Sequence, residues 1–263
     1  MFFDTHAHYS PDDGPFQDWT GRAFDARVRR ILLCATGWDE TCFLQGCAAA
    51  AEGVFFAAGI HPQEAERESS HAPEEFRRFL ADPRCLAVGE IGLDYYYTPE
   101  SREAQKKLLA GFLDLALEAD KPVIIHCRDR EDRGPAYEDA CELLKPFSDR
   151  GGRILLHAFS GSPEMLQLFL PAGAYFGVGG MLTFKKADNI RTVVSHMPMD
   201  RILLETDSPY LAPVPFRGKP NHPALLPYVA SFLAAERGMT AEQIEELTTH
   251  NAETFFRLPS GED

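Results

Sequence analysis

Phe2-Phe3-Asp4-Thr5-His6-Ala7-His8 opens the chain with β-forming aromatics followed by closely spaced polar and small residues. Side chains alternate along an extended strand, so His6 and His8 fall on one face with Asp4, and Phe3, Thr5 and Ala7 fall on the other. Two imidazoles are thereby offered in one direction. An H-x-H pair alone is as readily two surface or core histidines as a metal site, so its partners must decide. With the strand starting at residue 2, no leader peptide is expected and the pair is expected to belong to the folded protein.

The same kind of run recurs along the chain. Strand-like stretches occupy Phe2 to His8, Arg30 to Thr36, Val54 to His61, Cys85 to Asp94, Pro122 to Asp129, Arg153 to Ser160, Ala174 to Gly180 and Arg201 to Asp207, eight in all. Helical signals lie between them. Thr98-Pro99 offers an N-cap and a proline at the first helical position, with Ala104, Leu108, Phe112, Leu115 and Ala119 following at spacings of three or four. Ser162-Pro163 repeats the device, and Thr240-Ala241-Glu242-Gln243 reads as a capping box whose apolar face continues through Ile244 and Leu247 toward Phe255. Alternating strands and helices imply parallel strands with crossovers. In 263 residues the solution expected is an α/β fold, a closed (β/α)8 barrel of TIM type forming one domain over 1–263, with an open doubly wound sheet as the alternative. The proline-rich stretch Pro209 to Pro223 then reads as a loop over the barrel.

The polar residues fall at the strand ends. Ile124-Ile125, Ile154-Leu155-Leu156 and Ile202-Leu203-Leu204 are wholly apolar, yet they lead to His126, to His157 and, past Glu205-Thr206, to Asp207. The fourth run carries Glu90, the third ends in His61, and the first ends in His6 and His8. In a (β/α)8 barrel the C-terminal strand ends meet at one mouth, where active sites of this fold lie. Even with His61 set aside, six unrelated buried polar groups would each need a hydrogen-bond partner at the end of an apolar strand, which folded proteins seldom arrange. A catalytic zinc takes three protein ligands, so six donors imply two cations. A bridging Glu90 would serve both, with His6, His8 and Asp207 on one ion and His126 and His157 on the other, about 3.5 to 4 Å apart. The imidazole-rich set favours zinc, manganese or another first-row ion over magnesium.

Composition narrows the class. Hydrophobic residues at 44% and charged residues at 25% describe a globular chain with a core, not a disordered or fibrous one. No run of eighteen apolar residues suggests a membrane-spanning helix. The six cysteines never fall in C-x-x-C spacing and suit a reducing cytoplasm. Acidic side chains outnumber basic ones by 40 to 26, a net charge of −14, so a polyanion must be met by local rather than general positive charge.

With these residues assembled, the sequence resembles the TatD family of metal-dependent deoxyribonucleases, within the amidohydrolase superfamily. The motifs that carry the likeness run along nearly the whole chain: Asp4-Thr5-His6-Ala7-His8, Gly59-Ile60-His61-Pro62, Gly89-Glu90-Ile91-Gly92-Leu93-Asp94-Tyr95, His126-Cys127-Arg128, His157-Ala158-Phe159-Ser160-Gly161, Glu205 to Leu211 and Arg217 to Asn221. The resemblance implies a TIM-type barrel, a one- or two-metal centre (zinc, manganese or magnesium) at the six donors, and hydrolysis of DNA phosphodiesters, often exonucleolytic. The chain departs at Asn221-His222-Pro223, where the family usually has Asn-Glu-Pro. His222 could be an added phosphate contact or ligand, though an exposed loop histidine is the simpler expectation.

Two cations sharing a water would lower its pKa toward ~7 and make hydroxide available at neutral pH. By the superfamily resemblance Asp207 would orient that nucleophile and handle its proton. Substrate phosphate needs further positive groups, and His61, Arg128, Arg217 and Lys219 are the candidates. Lys185-Lys186 reads more simply as a solvated helix start. Asp94 and Glu205 are expected behind the ligands, with helix capping equally open for Asp94. Tyr95-Tyr96-Tyr97 could stack an unpaired base or merely pack over the rim. The substrate expected is DNA, single-stranded or frayed at its ends, with no membrane and no obligate protein partner. A rival from the same metal pair is an amide or ester hydrolase acting on a small molecule or aminoacyl ester. Many such relatives bridge their metals with a modified lysine where this chain carries Glu90, which favours the phosphodiesterase. A non-catalytic metal-binding scaffold is the second rival.

Overall fold

A computed structural model describes residues 1–130 and 134–259. Eight strands, β1 (Phe2–Ala7), β2 (Val28–Cys34), β3 (Val54–Ala58), β4 (Cys85–Asp94), β5 (Val123–Arg128), β6 (Ile154–Leu156), β7 (Tyr175–Val178) and β8 (Ile202–Leu204), pair in chain order in one parallel sheet. Around them run α1 (Phe16–Asp25), α2 (Trp38–Ala50), α3 (Arg77–Leu80), α4 (Arg102–Glu118), α5 (Pro135–Asp149), α6 (Pro163–Phe169) and α7 (Asp188–His196), followed after β8 by α8 (Leu226–Arg237) and α9 (Ala241–Phe256). The sheet curls until β8 returns to β1. The Asp207 N–H donates to the His6 carbonyl at 2.9 Å, the His8 N–H to Ser208 at 2.7 Å, and the Thr5 hydroxyl to the Leu204 carbonyl at 3.0 Å. The result is the (β/α)8 arrangement, and the open doubly wound sheet is set aside.

Both faces of the sheet are buried, as a parallel sheet requires. Leu32, Ala57, Ala87, Ile124, Leu155 and Leu203 fill the barrel with Phe3, while Ile31, Leu33, Val123, Ile125, Ile154 and Ile202 turn outward to the helices. Helix α9 closes the floor: Phe256 packs on Phe3 at 5.4 Å between ring centroids and Phe255 on Tyr175 at 5.0 Å. The sequence signals for two helix starts hold, with the Ser162 hydroxyl accepting from Met165 and a reciprocal Thr240–Gln243 capping box. Thr98 instead precedes a 3-10 turn, Pro99–Ser101, so α4 begins only at Arg102.

Strict alternation fails in β1. Asp4 pairs with Ile31 and Ala7 with Leu33, so three residues of β1 oppose two of β2. This extra residue resets the faces. Phe3 therefore lies in the barrel interior below His6, while Phe2 and Ala7 pack outward, correcting the expected grouping of Phe3 with Ala7. Among the described residues no helix is long and apolar enough to cross a membrane.

Candidate metal centre and anion pocket

The donors named from strand ends meet. Glu90, 2% exposed, stands at their centre. Its Oε2 lies 3.4 Å from His6 Nε2 and 3.6 Å from His8 Nε2. Asp207 Oδ1 lies 3.8 Å and 3.6 Å from the same two nitrogens, which are 3.2 Å apart. Two donors each about 2.1 Å from one ion at the tetrahedral angle stand about 3.4 Å apart, so His6, His8 and Glu90 have the spacing of a shell that could hold one cation, with Asp207 beside the same two nitrogens. The His8 ring is fixed for that task, because Nδ1 lies 2.9 Å from the Cys34 carbonyl, can only donate there, and leaves the lone pair on Nε2.

The other carboxylate oxygen, Glu90 Oε1, faces a second group of imidazoles: His126 Nδ1 at 2.9 Å, His157 Nε2 at 3.0 Å and His61 Nε2 at 3.7 Å. Burial alone would raise the Glu90 carboxyl, but the surrounding imidazoles, His157 foremost, outweigh it and hold the group well below the usual carboxylate range. His61 is turned differently from the rest. Its Nδ1 accepts the Gln63 N–H at 3.2 Å, so the neutral ring carries its proton on Nε2 and offers a donor to the site. Burial keeps it neutral, with its pKa pushed down to about 3.

A layer of carboxylates orients these rings. Asp94 Oδ2 lies 3.1 Å from His126 Nε2 and takes the Gln63 amide at 2.7 Å, while Oδ1 accepts the N–H groups of Tyr96 and Tyr97 at 3.0 and 2.8 Å. Asp94 thus contacts the ring and caps the Tyr95–Tyr97 turn; it caps no helix, since Thr98 and Ser101 precede the following helical segments. Glu205 is fully buried beneath the rings, accepts Ala158 N–H at 2.6 Å, and lies 3.5 Å from His157 Nδ1. Only a glycine fits opposite it: a Cβ on Gly177 would stand 2.0 Å from Glu205 Oε2. Asp207 and Ala158, beside the donors, have φ of 57° and 44°, a region residues with a Cβ seldom visit.

Sequence reasoning passed over several positioning groups. Asp4 accepts from both the backbone N–H and the hydroxyl of Thr206, at 2.9 and 2.5 Å, and so ties β1 to the segment that carries Asp207. Burial pushes Asp4 up to about 7. Gln63 and Gln105 hold Asp94 from either side. Asp4 was visible on the histidine face, but no spacing rule marks the two glutamines.

A cavity of about 710 Å³ opens from His126, His157 and Asp207 toward the loops after β4 to β8. Arg128 and Arg217 line it; Lys219 is exposed and is not among the lining residues. Tyr96 also lines it, whereas Tyr95 is buried and hydrogen-bonded to Asp139. Lys185 and Lys186 contribute to the same wall, a placement the expectation of a plain solvated helix start missed. His222 is not an exposed loop histidine: it is 5% exposed, packs 5.1 Å from the Trp19 ring and caps the turn Pro223–Leu225 through the Ala224 N–H.

A barrel whose strand ends bring imidazoles around a shared buried carboxylate defines a metal-dependent hydrolase. The family model for TatD-related DNases matches residues 3–257, and the chain belongs to that family. It is 34% identical over 262 residues to the uncharacterized metal-dependent hydrolase YcfH of Escherichia coli K12, covering 97% of this chain and 95% of that one. It is 32% identical over 246 residues, 92% of each chain, to a Shigella flexneri protein named 3'-5' ssDNA/RNA exonuclease TatD. The crystal structure of YjjV, a TatD homologue from Escherichia coli K12, superposes with a TM-score of 0.90 at 31% identity over 98% of both chains.

Proposed function

We propose that this protein hydrolyses phosphodiester bonds of DNA, working inward from single-stranded or frayed ends, with two divalent cations held by His6, His8, Glu90, His126, His157 and Asp207. The observation that carries the reading is the division of Glu90: Oε2 faces His6 and His8, and Oε1 faces His126 and His157. Zinc, manganese or magnesium bound there would neutralise phosphoryl charge and lower the pKa of a water to about 7. Glu90 fixes the two halves at one separation. Asp207, 3.6 Å from His8, would take the proton of the attacking water. His61 offers Nε2–H to a phosphoryl oxygen, and Arg128 and Arg217 supply charge along the cavity.

Cationic walls favour a phosphodiester over an aminoacyl ester, and the exonuclease name of the Shigella relative points the same way. The cysteines are all free, which suits a reducing cytoplasm. The reading is tested with one metal-loaded preparation, analysed for metal and assayed against single-stranded DNA, single-stranded RNA and an aminoacyl ester. Release of nucleotides from DNA that disappears in Glu90→Ala and Asp207→Ala supports it. Turnover of the ester alone replaces it with the rival hydrolase, and equal DNA hydrolysis by the variants identifies a contaminating nuclease.

A further inference from the structure

The chain carries 40 acidic against 26 basic residues, and its arginines are mostly paired. Arg27, Arg30, Arg77, Arg84, Arg102 and Arg257 each meet a carboxylate. Among the described residues Arg22, Arg29, Arg78 and Lys219 also meet no carboxylate, but they do not line the cavity; Arg128, Arg217, Lys185 and Lys186 are likewise without one, and all four line the cavity that leads to Glu90's histidines. Asp129, on the same wall, is turned instead to the N–H groups of Arg130 and Ala136. Unpaired cations gathered at one place in an acidic protein create a local attraction for anions that the whole molecule opposes.

They stand on two sides. On the β4–β5 side the Arg128 guanidinium lies 4.6 Å from the Tyr96 ring centroid and 4.9 Å from that of Tyr97. On the β7–β8 side Arg217 lies 3.7 Å from the Phe184 centroid, beside Lys185 and Lys186. That second wall is braced. Arg191 donates to the backbone carbonyls of Leu182, Phe184 and Lys185 at 3.3, 2.8 and 3.4 Å. Thr183 accepts the Val214 N–H at 2.9 Å, and a Cβ on Gly180 would stand 1.9 Å from the Leu211 carbonyl, so the two loops interlock. Holding the backbone in this way fixes where the two lysine side chains start.

We propose that Lys185, Lys186 and Arg217 form a subsite for the phosphate adjacent to the one being cleaved, so that strands with at least two consecutive phosphates are preferred over a single diester. The proposal rests on the phosphodiesterase reading of the metal centre. It names the length and charge of substrate that reading leaves open.

The test uses the full-length Glu90→Gln protein, whose turnover should be slow enough for binding to be read, and fluorescent single-stranded deoxyribo-oligonucleotides with one, two or five phosphates. We expect the second phosphate to tighten binding about tenfold at low salt, and K185A/K186A to remove most of that gain. The double variant should also flatten the log Kd against log salt slope by about 1.4, at ~0.7 per lysine for a single strand. Lys145→Ala, on the outer surface of α5 and paired with Asp149, serves as the charge control and should leave the slope unchanged. No gain from the second phosphate, or equal slopes in the lysine double variant and its parent, overturns the subsite. Hydrolysis of the five-phosphate strand by the metal-loaded wild type separates the two claims. If that strand survives while the binding results hold, the phosphodiesterase reading fails and the anion subsite stands.

Discussion

Glu90 carries more of the site than any other residue, because each of its oxygens faces a different set of imidazoles. Glu90→Gln keeps the shape and removes the charge, so metal content should fall and phosphodiester hydrolysis should drop by about 10³-fold or more. Metal analysis beside an exonuclease assay checks this; full metal occupancy with full activity would refute it. Asp94 acts through His126. Asp94→Asn offers an amide where the ring needs a carboxylate, and should weaken metal binding about 10- to 100-fold while activity returns at high metal concentration. A metal titration of activity reads the difference, since a merely unfolded protein would not be rescued. His222 behaves otherwise, being packed on Trp19 and away from the cavity. His222→Ala should cost about 1 to 2 kcal/mol through the lost cap and packing, with kcat/KM of the folded fraction unchanged; a drop in kcat/KM would place it in the site after all.

At the scale of elements, the ends of β7 and β8 decide whether the donors can converge. Gly177 leaves the space that Glu205 fills beneath His157. Gly177→Ala should therefore destabilise the protein by about 1 to 3 kcal/mol, measured by denaturant unfolding, and lower metal affinity along with it. Unchanged stability and affinity would show that Glu205 can move without consequence. Elements were legible where physics is local: apolar runs bounded by polar ends gave β5, β6 and β8, and hydroxyl caps gave the starts of α6 and α9. They were less legible where the effect comes from a neighbour. The extra residue in β1 depends on its register against β2, and no pattern within Phe2 to His8 announces it. For the same reason β6 and β8 stop at Leu156 and Leu204, short of His157 and Asp207, because ladder pairing ends where the backbone turns into the mouth.

For the molecule as a whole, closure of the barrel turns six positions scattered from residue 6 to residue 207 into neighbours, so metal binding at the proposed centre would be linked to folding. A bound cation at about 100 times its Kd adds about 2.7 kcal/mol of stability, and a chelator should lower the unfolding temperature accordingly. A melt that is the same with and without chelator would contradict that linkage. The convergence of these side chains was readable from sequence because a parallel barrel sends every strand end to one rim. The cationic wall was only half readable: Arg128 and Arg217 stood out, but the placement of Lys185 and Lys186 depends on loops after β7 and β8 interlocking through Thr183 and Gly180. Sharing of Glu90 between divalent cations can be read from anomalous diffraction of metal-loaded crystals. Two peaks are expected, one among Glu90, His6, His8 and Asp207 and one among Glu90, His126 and His157. Density only at sites remote from Glu90 would contradict it.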